Sequence, residues 1–90
     1  MRISEDVRST HGPDGGVVLD IRRGRMFRLN PVASRILELL EGQSAEAEII
    51  EEISREFGAS QEVVAPDVRE FLVALERHRL LEVHGPAGTA

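Results

Sequence analysis

The chain has 90 residues, no cysteine, and a formal charge of −5 from 16 acidic residues against 11 arginines. That length allows one small domain burying roughly 60–65% of its unfolded surface, and the lack of cysteine excludes a disulfide framework, a thiolate metal site and a thiol nucleophile. The segment Met1-Arg-Ile-Ser-Glu-Asp6 lacks the apolar run of a signal peptide, and nothing approaches the ~20 apolar residues of a membrane span, so a soluble, cytoplasmic protein without membrane contact is expected.

Residues 2–9 suggest a first strand, with Ile3, Glu5 and Val7 on one face. The Gly- and Pro-rich stretch Thr10-His-Gly-Pro-Asp-Gly-Gly16 reads as a loop. Two apolar-rich runs, 17–21 and 26–29, then flank a turn containing Gly24, the signature of a β-hairpin. A three-residue loop, Arg22-Arg23-Gly24, with glycine left-handed, predicts Ile21 opposite Arg25, Leu19 opposite Phe27 and Val17 opposite Leu29. Val17, Leu19, Ile21, Phe27 and Leu29 would then share the buried face, and Val18, Asp20, Met26 and Arg28 would point away.

Asn30-Pro31 is a helix start, with Asn as cap and Pro at the first helical position. The helix should run to about Glu41, burying Ala33, Ile36, Leu37 and Leu40, and stop at Gly42. Ser44 is the expected cap of a second helix with the stripe Ile49, Ile50, Ile53 and Phe57, ended by Gly58. Pro66 disfavours an uninterrupted third helix. A short turn at 61–64 and a helix over about 66–79 are therefore expected, burying Val68, Phe71, Leu72 and Leu75. Leu80, Leu81 and Val83 extend the apolar surface. Residues 1–84 would form the domain, and 85–90 a disordered tail. The order β-β-β-α-α-α predicts an α+β fold, with strand 25–29 at a sheet edge.

Little points to chemistry. His11, His78 and His84 lack metal-ligand spacing and are expected to be solvated. Ser9-Thr10-His11 is adjacency without a triad, Asp14-Gly-Gly16 is too short for a phosphate loop, and the Glu run from Glu46 to Glu56 reads as a solvated face. Neither enzymatic activity nor a cofactor is expected. Residues 1–30 carry six Arg against four acids, whereas residues 31–90 carry five Arg against twelve acids. An acidic helical half without Trp or Tyr lacks the basic footprint and stacking platforms of a nucleic-acid binder. Two features stand out. Asp67, near the predicted helix start, could simply favour the helix dipole. The edge strand offers unpaired main-chain groups, which proteins either guard with charge or use to receive a peptide strand.

The run Val17-Val-Leu-Asp-Ile-Arg-Arg-Gly-Arg-Met-Phe-Arg-Leu-Asn-Pro31 resembles the strand-turn-strand and helix start of PqqD-like proteins. The resemblance continues through Ile36-Leu-Glu-Leu-Leu-Glu-Gly42, Ile49-Ile-Glu-Glu-Ile53, Asp67-Val-Arg-Glu-Phe-Leu72, Leu75 and Leu80-Leu81. It implies a winged helix-turn-helix-like recognition element for ribosomally made, modified peptides, with three strands and three helices. Such proteins take the leader segment of a precursor peptide as an added strand beside the third strand, in a groove walled by the third helix. Here that implies leader contacts at Arg25, Met26, Phe27, Arg28, Leu29, Val64, Asp67 and Phe71. The hairpin wording is most similar to the standalone leader-binding proteins of lasso-peptide pathways, which pass the precursor to a separate leader peptidase. It lacks the Tyr-Pro-Glu common in PQQ-pathway members, which weakens the case for a radical-SAM partner. The competing readings are a small winged-helix DNA-binding regulator and a structural subunit of a larger enzyme. The third helix carries Asp67, Glu70 and Glu76 beside Arg69, Arg77 and Arg79, so it is not the basic recognition helix a regulator needs.

Overall fold

A computed structural model describes residues 1–82; Val83, His84 and the expected tail at 85–90 lie outside them. The order is β1 (Arg2–Ile3), β2 (Val7–Gly12), β3 (Gly15–Asp20), β4 (Arg25–Leu29), α1 (Pro31–Glu41), α2 (Glu46–Phe57), α3 (Gln61–Arg77) and β5 (Leu81–Glu82). β2, β3 and β4 form an antiparallel meander with β4 at one edge, and β1 pairs with β5 in a separate two-stranded ribbon. The α+β architecture of three-stranded sheet and three helices is the one expected. The stretch taken as a loop at 10–16 instead continues β2 and β3 around a tight turn.

The β3–β4 register differs from the expected one by a residue. Asp20 pairs with Arg25, Leu19 with Met26, Val18 with Phe27, Val17 with Arg28 and Gly16 with Leu29. The connection is thus four residues long, with Gly24 still left-handed at φ 63°. The buried face carries Val18 and Asp20 together with half-buried Phe27 and Leu29; Leu19 and Ile21 face solvent. Apolar alternation misleads here because a carboxylate occupies an inner position. Asp20 accepts hydrogen bonds from the Arg23 backbone N–H and from the Arg25 guanidinium, which compensates its burial and holds the loop as an Asx-type turn does.

The helices close over that inner face. The Asn30 side chain accepts from the Ala33 N–H, with Pro31 behind it, and α1 buries Ile36, Leu37 and Leu40. The second cap is Ala45 rather than Ser44. Alanine has no side-chain acceptor, and Glu48 reaches back to accept the Ala45 N–H at 2.7 Å, half of a capping box. Ile49, Ile50 and Ile53 are buried, but Phe57 at the helix end is exposed. α3 runs unbroken through Pro66. The missing donor there costs one bond to Glu62, early in the helix. Ser60 caps the start, and Val64 and Val68, on either side of Pro66, are both buried. Burying such a side chain stabilises by roughly 1.5–3 kcal/mol, enough to hold both sides of the proline in one helix.

Candidate functional site: an open strand edge beside a helix wall

The Ile21 N–H donates to the Asp6 carbonyl at 2.9 Å, continuing the β2–β3 ladder. In an antiparallel sheet the main-chain groups alternate sides. Odd-numbered residues of β3 therefore bond to β2 and even-numbered ones to β4. By the same alternation Arg25, Phe27 and Leu29 bond inward to β3, while the N–H and C=O groups of Met26 and Arg28 point outward. Among the described residues no strand pairs with that outer edge.

The eight residues expected at the site do not share one environment. Arg25, Phe27 and Leu29 turn toward the helices. Arg25 donates from Nη2 to Asp20 and, at 2.7 Å, to the carbonyl of His78 just past α3. Its guanidinium lies 5.3 Å from the Phe27 ring centroid, and the Phe27 and His78 rings are 5.1 Å apart. This stack joins β4 to the end of α3, in the distance range of cation–π and tilted ring contacts. Met26 and Arg28 project from the other face of the sheet and are exposed. Val64 is buried in the core and presents no groove surface.

Asp67 and Phe71 line a concavity of about 400 Å3 together with Glu70 and Ala74 of α3 and Asn30, Val32, Ala33 and Ile36 at the start of α1. The spacing Asp67, Phe71, Ala74, His78 follows one helix stripe, so sequence spacing could have named Ala74 and His78. The α1 residues could not be read off, because only tertiary packing brings them there. Since α3 begins at Gln61, Asp67 lies almost two turns inside it. The dipole effect fades within the first turn, so that bland role does not fit.

The carboxyl of Asp20 is held below the usual carboxylate range, chiefly by the hydrogen bond from Arg25 and also by Arg23, against the opposing effect of burial. Away from the groove, His11 is not solvated as expected. Its Nδ1 is 2.6 Å from Ser34 Oγ, and its Nε2 is 2.9 Å from Glu41 Oε1 and 3.1 Å from Ser9 Oγ. Ser9 also donates to Glu41. With Ser34 buried, this network ties β2 to α1 rather than presenting a nucleophile. Among the described residues no cluster of His, Asp and Glu could hold a metal, and no helix is long and apolar enough to cross a membrane.

Comparison with known proteins bears on the fold and the family. A structure of TbiB1 in complex with the TbiA(beta) leader peptide has a TM-score of 0.86 and 39% identity, covering 94% of this chain and 99% of that one. Lasso peptide synthetase B1 complexed with the leader peptide shares the fold at a TM-score of 0.78 and 20% identity, covering 88% and 93%. So does the PqqD portion of Methylobacterium extorquens PqqCD, a stand-alone RiPP recognition element solved by NMR, at 0.74 and 24%, covering 91% and 87%. No curated protein matches the chain in sequence. The family described as coenzyme PQQ synthesis protein D, PqqD, matches residues 15–81, which span β3 through β5, and by that match the chain belongs to the PqqD family.

Proposed function

We propose that the chain binds the leader segment of a ribosomally made precursor peptide, of the lasso-peptide kind, as a strand added to the outer edge of β4. It then delivers that peptide to a processing enzyme such as a leader peptidase. The observation that carries this reading is the open edge at Met26 and Arg28 on β4, a strand that runs directly into Asn30, which lines the concavity with Asp67 and Phe71. Edge addition supplies main-chain hydrogen bonds, and the neighbouring pocket selects alternate side chains. The structural relative TbiB1, bound to a leader peptide, supports the same use. The chain contributes recognition without catalysis, in the cytoplasm where precursor peptides are made. Arg25, Phe27 and Leu29 shape the strand, Met26 and Arg28 offer the bonds, and Val64 backs the helix wall from within the core.

The test is an amide-shift titration of the labelled chain with the cognate leader peptide. Shifts concentrated at residues 25–29 and 64–71 are expected; shifts confined to α2 would overturn the placement. The regulator reading lacks its basic recognition helix, since the exposed side of α3 carries Glu62, Asp67, Glu70 and Glu76 against Arg69 and Arg77.

A further inference from the structure

Val7, Val18, Phe27 and Leu29 belong to or pack on the core from one face of the sheet. The other face is uncovered among the described residues, yet it is not polar. Register aligns Arg8, Leu19 and Met26 in one cross-strand row and Thr10, Val17 and Arg28 in the next. Leu19 is 43% exposed, Ile21 59% and Met26 62%. Apolar residues at alternate strand positions normally mark a core; here they face water, and contiguous exposed apolar surface marks an interaction site. Around this apolar centre stand cations. Arg8 donates only to the backbone carbonyls of Glu5 and Val7. Neither Arg8 nor Arg28 meets a carboxylate among the described residues, although the chain carries −5 overall.

The geometry points to this outer face as the docking surface for the enzyme that acts on the bound peptide, through a patch on that enzyme with an apolar centre and an Asp/Glu rim. The inference rests on the peptide-binding reading above. Charge selects the occupant. A second copy in a two-fold contact would bring the same patch against itself and set arginines against arginines, which disfavours pairing, whereas an acidic rim is complementary. Continuity selects the place. Met26 and Arg28 belong both to this face and to the open edge, and a strand added there alternates its side chains. Every second peptide side chain would then extend the outer face, so that an enzyme seated on it touches carrier and peptide together.

The test compares the wild-type chain with Leu19→Asp, Arg8→Glu and Arg8→Lys, none of which alters β4. Binding to the purified leader peptidase encoded alongside the precursor is measured with leader present, and leader binding is measured separately by anisotropy. Leu19→Asp and Arg8→Glu should keep leader affinity within about twofold and lose enzyme affinity by about tenfold or more, while Arg8→Lys retains it. Unchanged enzyme affinity in both variants would overturn the inference. So would a dimer that Leu19→Asp dissolves, or attachment to phosphatidylglycerol vesicles that Arg8→Glu abolishes, since each gives the face another occupant. A wild-type chain that binds the enzyme through this face but takes no leader would overturn the peptide-binding reading alone.

Discussion

Arg25 Nη2 lies 2.8 Å from Asp20 Oδ2 across the closing pair of the β3–β4 hairpin. The same Nη2 reaches the His78 carbonyl, so one guanidinium joins the loop, the edge strand and the end of α3. Asp20→Asn should therefore loosen the edge as well as the loop. We expect its melting temperature at pH 7 to fall by on the order of 5 °C and leader affinity to weaken with it. A variant that melts like the wild type would show that the pair adds nothing net.

The pH dependence follows from the same pair. Folding lowers the Asp20 carboxyl below its unfolded value near 3.9. Its stabilisation is therefore fully present above that value and is lost as pH falls through the folded one. Thermal melts from about pH 7 to about pH 3 should show the gap between wild type and Asp20→Asn closing on acidification. A gap that widened in acid would contradict the assigned direction.

Proline at neighbouring positions of β4 separates outward from inward main-chain groups. Arg28→Pro removes a donor that faces away from β3, where an edge strand tolerates it. The protein should stay folded and bind leader poorly. Phe27→Pro removes a ladder bond to β3 and the ring that stacks on His78, costing on the order of 3 kcal/mol. Arg28→Ala keeps the N–H and serves as the control. Equal leader affinity for folded Arg28→Pro and Arg28→Ala would mean that this N–H makes no contact with the peptide.

Gly16 lies where β3 passes under α1. A Cβ there would come within 2.4 Å of the Thr10 carbonyl and 2.6 Å of Ser34 Oγ. Gly16→Ala should cost about 2 kcal/mol in urea unfolding, the usual scale of overpacking. Gly12→Ala, with its nearest neighbour at 3.8 Å, should fall within about 0.5 kcal/mol of the wild type.

Leader affinity should also survive added salt. Main-chain bonds and apolar contacts are weakly screened, and the groove wall is acidic rather than cationic. Between about 50 and about 200 mM salt, affinity should change by less than about tenfold, where a phosphate binder loses roughly 10³–10⁵. A loss of that size, measured by anisotropy, would replace the groove with a charge-driven site.

The helix boundaries that were legible carry local chemistry: Asn30-Pro31, Gly42 and Gly58 each act within one turn, whereas the third helix is capped at Ser60, ahead of the expected start, because buried Val64 and Val68 hold it together across Pro66. The edge position of β4 followed from strand order alone. The hairpin register was not legible from apolar alternation. Whether Asp20 can be buried depends on Arg25 and on the carbonyl of His78, 53 residues further along, and no local pattern reports that. Yet the outward direction of Met26 and Arg28 is the same in the expected and the observed register. In both, Arg25, Phe27 and Leu29 bond inward, so the reading of the edge survives the slip. For the same reason Asp67 and Phe71 could be named from the family pattern, while the α1 side of the concavity could not.

The ribbon of β1 with β5 sets Arg2 opposite Glu82 and Ile3 opposite Leu81. The two ends of the described chain therefore lie side by side at one corner of the fold, tied by an Arg2–Glu82 ion pair. Adjacent termini let a domain be spliced into a loop of another protein without being pulled apart. Insertion of the unit into a loop of a host protein should therefore leave β4 at its open edge, far along the chain from either junction.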